Sequence, residues 1–137
     1  MAVDGCSLIV KRIKRLATLN SFEELDCWKA CREVVRWVMM ITKSFPRHEQ
    51  FDLADNMRRA ARSTTRNIAE GFGRHHHKEN IQHCRIARGS LFEVIDDAIT
   101  AKEENYLDIE SYQQGREIIN KAIALLNGYI NYLRRLN

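Results

Sequence analysis

Arg58, Arg62 and Arg66 recur at steps of four, with Arg59 beside them. On a helix that spacing stacks guanidinium groups along one side. A row of planar forks, each carrying fixed positive charge, suits phosphate oxygens. Arg74 and Lys78 continue the positive run, so residues 56–78 sum to +5. Residues 1–20 add +3 through Lys11, Arg12, Lys14 and Arg15, although the whole chain is only +4. The remainder is therefore slightly acidic, and the positive charge is local. Such a patch attracts anions without making the entire surface adhesive. The competing reading is a solvated face in which Asp55 pairs with Arg58, Arg59 or Arg62 one turn away.

A second polar line, Ser63, Asn67 and Glu70, flanks the arginines. Ser63 has no histidine at hydrogen-bond spacing on its own helix, and serine without an activating base is a poor nucleophile. The line is expected to form a hydrogen-bonded and ion-paired seam between helices or between subunits. His75, His76 and His77 follow in what reads as a turn, where three consecutive rings cannot all face one ion. No Glu-x-x-His occurs anywhere in the chain, which removes the di-iron carboxylate pattern of helical bundles. A glycine-rich phosphate loop and a His-Glu-x-x-His zinc motif are absent too. Glu93, Asp96 and Asp97 read as solvent-facing. Cys27 and Cys31, four apart on a predicted helix, read with Cys6 and Cys84 as reduced structural thiols. The expectation is a non-enzyme with no metal and no cofactor.

Helices must position these groups. The 137 residues contain one proline and six glycines, too few turn residues for a sheet protein. No apolar run approaches the roughly 18 residues a membrane span needs. A soluble, cytoplasmic, all-α protein with no membrane partner is expected. Residues 1–20 place their basic cluster after a very short apolar run, the reverse of a secretory signal. They read as a basic arm or a loosely ordered extension outside the fold, leaving residues 21–137 as the domain.

Ser21 followed by Glu24 has capping-box spacing. Leu25, Trp28, Val35, Val38 and Thr42 then mark a first helix over about 22–43, stopped by Phe45-Pro46. A second helix runs from about 49–51 to Gly71, expected as its C-terminal cap. Its core face is Leu53, Met57, Ala60, Ala61, Thr64, Ile68 and Phe72. The third spans about 78–105. The fourth starts from Asp108 as N-cap and carries Tyr112, Ile118, Ile119, Ala122, Ile123, Leu125, Leu126, Tyr129, Ile130 and Leu133, more than one apolar stripe. Short connections favour an antiparallel up-down-up-down four-helix bundle. Excess apolar surface on the fourth helix suggests self-association.

Leu25-x-x-Trp28, Phe45-Pro46-x-x-Glu49 and the long run Arg58-Arg59-Ala60-x-x-Ser63-x-x-x-Asn67-Ile68-Ala69-Glu70-Gly71-x-x-Arg74 resemble the four-helix bundle proteins of bacterial 23S rRNA intervening sequences. The resemblance covers about Ser21 to Leu133. It implies a ring-like homopentamer. The family is in turn similar to the accessory protein of diversity-generating retroelements, a basic pentamer that binds nucleic acid and a protein partner, a reverse transcriptase. Nucleic-acid contact through Arg58, Arg59, Arg62, Arg66, Arg74 and Lys78 is the favoured expectation. The alternative is a structural or protein-interaction scaffold that binds no nucleic acid.

Overall fold

A computed structural model describes residues 5–136, and every regular element among them is helical. The helices are α1 (Gly5–Ala17), α2 (Asp26–Ile41), α3 (Leu53–Gly73), α4 (His77–Glu103) and α5 (Ile109–Arg135). Single 3-10 turns lie at Phe22–Glu24, Thr42–Ser44 and Arg47–Glu49. Helices α2 to α5 pack in a closed cycle, α2 on α3, α3 on α4, α4 on α5 and α5 back on α2. This is the antiparallel four-helix bundle that short connections favour.

The apolar stripes meet at its centre. Val34, Val38, Met57, Ile68, Leu91, Val94, Ile119, Leu126 and Ile130 are all shielded from solvent. Small residues set the closest approaches. A Cβ on Gly115 would lie 2.1 Å from the buried Trp37 ring, so α5 can cross α2 there only with glycine. Gly71 is constrained too, though less severely, since its Cβ would fall 2.7 Å from Asn80 Oδ1 and 2.8 Å from His83 Cβ.

Gly71 therefore does not cap α3. It is buried inside the helix, which continues to Gly73, and His75 takes the left-handed conformation (φ 53°) in the turn to α4. The first bundle helix also departs from expectation. Ser21 accepts from Glu23 N–H at 3.2 Å and caps only the 3-10 turn, and α2 begins at Asp26 after an extended Leu25. Asp108 does cap α5, accepting from Ser111 N–H at 2.7 Å. Cys27, Cys31 and Cys84 are buried and unbridged. Burial pushes the Cys31 and Cys84 thiols up to about 12, which keeps them protonated and inert.

Residues 5–17 form a helix, but none of its side chains is buried. Arg15 and Asp26 join its end to the start of α2 across 3.4 Å. No helix among the described residues is long and apolar enough to cross a membrane.

Candidate nucleic-acid interface

Helix α3 divides its polar side into two edges with different roles. Toward α2, Arg58 turns inward. Its Nε donates to Thr42 Oγ1 at 3.1 Å, Nη1 to the Gln50 carbonyl at 3.4 Å and Nη2 to Gln50 Oε1 at 2.6 Å. Gln50 Nε2 in turn donates to the carbonyls of Thr42 and Phe45, both at 2.9 Å. The guanidinium therefore fastens the proline-containing connection to α3, and three of its donor groups are occupied within the chain.

Arg59, Arg62 and Arg66 are exposed. Arg59 forms the expected intrahelical pair with Asp55 at 3.0 Å, but an exposed pair of this kind is weak and exchangeable. Arg62 touches only the Met39 sulfur, at 3.7 Å. Arg66 makes no hydrogen bond or ion pair among the described residues, although, after Arg74 and His83, its charge helps to hold the Glu70 carboxyl low. Arg74 closes the helix and binds Glu70 at 2.9 Å. Lys78 is exposed in the first turn of α4. Arg59 and Arg74 are fifteen residues apart, about 22 Å along the axis. With Arg58 withdrawn, five exposed cations remain: Arg59, Arg62 and Arg66 on α3, Arg74 at its end and Lys78 at the start of α4.

Toward α4 lies the polar seam. Asn67 Nδ2 donates to the Ser63 carbonyl at 2.9 Å and to Ser63 Oγ at 3.0 Å. Ser90 Oγ donates to Ser63 Oγ at 2.9 Å, and Asn67 Oδ1 meets His83 Nδ1 at 3.2 Å. Glu70 Oε2 stands 4.0 Å from the same His83 nitrogen. Arg74, and after it His83, hold the Glu70 carboxyl below the usual carboxylate range. The seam joins two helices of one chain. His83 reaches Asn67 and not Ser63, so no base lies against the serine hydroxyl as nucleophilic chemistry requires.

His83 and Ser90 were not singled out by sequence, although a signal exists. Asn80, His83 and Ser90 interrupt the inward side of α4, and His83 and Ser90 are seven apart and so share a face. Asn80 is buried and donates to the Tyr129 hydroxyl at 3.0 Å. His75, His76 and His77 are exposed, and His76 Nδ1 lies 3.5 Å from Glu79 N–H at the start of α4. Glu93 and Asp96 face solvent, whereas Asp97 is half-buried. Burial first, then the neighbouring Asp96 and Glu93, push its carboxyl up to about 6.

The architecture and this surface define a class, an antiparallel four-helix bundle with an arginine tract on one helix and a polar seam behind it. The family model described as 23S rRNA-intervening sequence protein matches residues 23–128. The chain belongs to that family. The match begins beyond α1 and includes the arginine tract and the seam. No curated protein gives a match to the chain.

Proposed function

We propose that the protein is a non-enzymatic, homo-oligomeric bundle that contacts RNA or DNA phosphates through α3. The observation that carries this reading is the state of Arg62 and Arg66, exposed on one helix face with no carboxylate bound to either. Arginines with no carboxylate bound keep most of their donors for a ligand, and each phosphate neutralised adds to binding through counterion release. One chain offers few such contacts, but a homopentamer repeats them five times, and Arg74 and Lys78 extend the footprint.

The surface best suited to self-association is the outer side of α4. Ile86 and Phe92 are 45% and 55% exposed and flank Gly89, beside a shallow groove floored by Ala60 and Ser63 of α3. Helix α4 is thus apolar inside and partly apolar outside, which fits burial between subunits. Asn67 and Ser63 bond within the chain, and the exposed Ile86 and Phe92 support an assembly contact on α4 instead.

Fluorescence anisotropy with a labelled RNA hairpin tests the reading. Arg62→Ala/Arg66→Ala is expected to weaken binding at least about tenfold at low salt. Unchanged affinity in that double variant, or no binding by the parent protein, contradicts it. A scaffold without nucleic-acid binding remains the second reading, favoured by the same exposed Ile86 and Phe92. It predicts an oligomer that leaves the hairpin free.

A further inference from the structure

A cleft of about 340 Å³ separates α1 from the start of α2 and the last turns of α5. This volume falls at the small end of ligand pockets. One wall is α1, through Ile9, Ile13 and Leu16, with Ile9 55% and Ile13 37% exposed. The other is the bundle, through Leu125 and Tyr129, with Leu19 added from the connection after α1. A thirteen-residue helix with no buried side chain is marginal in water on propensity alone. An apolar body in the cleft would cover both walls at once.

The charges at the cleft specify the other end of that body. The Asp26 carboxylate is paired with Arg15 at 3.4 Å, and Glu24 Oε1 accepts from Asn20 N–H at 3.4 Å. Arg12 and Arg135 also line the cleft, and neither makes a hydrogen bond or ion pair among the described residues. The site therefore combines apolar walls with two unpaired guanidinium groups. A bare phosphate or a nucleic acid would leave the walls uncovered. A second α1 packed symmetrically would set Lys11, Arg12, Lys14 and Arg15 against their own copies, with no acid in the helix to offset them.

We propose that this cleft binds a free long-chain carboxylic acid, its alkyl chain between α1 and α5 and its carboxylate on Arg12 and Arg135. The site is separate from the α3 surface and does not depend on nucleic-acid binding.

Gly128 provides a clean test, because it lines the cleft and a Cβ built there meets nothing within 4 Å. Gly128→Phe fills the cleft while removing a helix-weakening glycine. Isothermal titration of the full chain would use laurate below its micellar concentration, with dodecyltrimethylammonium as the cationic ligand of equal chain length. The expected result is one laurate per chain, bound at least about tenfold more tightly than the cationic amphiphile. Gly128→Phe and, independently, Arg12→Glu/Arg135→Glu should each weaken laurate at least about tenfold, with circular dichroism unchanged. Equal binding of the two amphiphiles overturns the proposal, as does full affinity in the Gly128→Phe variant. So does binding of phosphatidylglycerol vesicles without laurate binding, which makes the occupant a membrane. A mass by light scattering that falls on Gly128→Phe also overturns it, because the occupant is then a second copy.

Discussion

Four neighbouring arginines on α3 serve different ends because of what stands opposite each. Arg58 meets two acceptors on Gln50 and one on Thr42, while Arg62 touches only the Met39 sulfur and Arg66 faces solvent. Arg58→Ala should therefore destabilise the fold by about 1.5–3 kcal/mol, since hydrogen bonds to a charged group are lost and Thr42 and Gln50 keep unmatched oxygens. Arg62→Ala should stay within about 0.5 kcal/mol of the parent. Urea midpoints check both, and equal effects of the two substitutions would refute the division. The stripe itself was legible from spacing. The withdrawal of Arg58 was not, because its partners come from a connection eight to sixteen residues earlier whose path no local pattern specifies.

Asp97 gives a residue-scale prediction with a definite pH sign. Its carboxyl is raised from an ordinary 3.8 to about 6, so the folded chain holds this proton more tightly than the unfolded chain. Between about pH 4 and 6 the native state then binds more protons, and this group's contribution to stability falls as pH rises. Asp97→Asn should stabilise the protein at pH 7.5, and the advantage should disappear near pH 4. Urea unfolding of both proteins at the two pH values reads the difference. A gain that is the same at both would show that the charge is not its source.

At the scale of the elements, the core faces of the bundle helices follow the three- and four-residue spacing closely. Met57, Ala61, Ile68, Leu91, Ile119 and Leu126 are all buried where periodicity puts them. Ends and crossings were harder to read. Glycine near a helix end ordinarily marks a cap, but at Gly71 the deciding fact is the side-chain atoms of Asn80 and His83 arriving from α4. A single sequence shows the glycine and not the neighbour, and the same holds for Gly115 and Trp37. Gly115→Ala should cost at least about 1–3 kcal/mol, the range for overpacking, because the added methyl overlaps the indole ring. In the turn, His75→Gly should gain about 1 kcal/mol by relieving the left-handed backbone at a residue with a Cβ. Thermal unfolding distinguishes the pair by opposite shifts in Tm. A Gly115→Ala protein as stable as the parent would refute the crossing geometry.

For the whole molecule, the family match and the closed helical cycle agree on the bundle. The functional reading rests on the unequal distribution of surface. Helix α3 presents Arg62 and Arg66 with no carboxylate bound, α4 presents Ile86 and Phe92, and these belong to adjacent helices. A homo-oligomer closing on the groove beside Ile86 and Phe92 would cover Arg59, which also lines it, while Arg62 and Arg66 lie outside the groove. Phe92→Asp should lower the mass measured by light scattering toward the monomer while leaving the helical circular dichroism intact. An unchanged mass would move the assembly surface elsewhere on the bundle.

The most direct test of phosphate recognition by α3 is the dependence of hairpin-RNA affinity on salt. Neutralising each phosphate steepens the slope of log affinity against log salt by roughly 0.7–0.9. For the parent assembly the account predicts a slope steeper than about −2.5, corresponding to three or more phosphates. Arg62→Ala/Arg66→Ala should make it shallower by at least about one, because at least two contacts disappear. A parent slope near zero, or one that the double variant leaves unchanged, would contradict the assignment of the α3 arginines to nucleic acid.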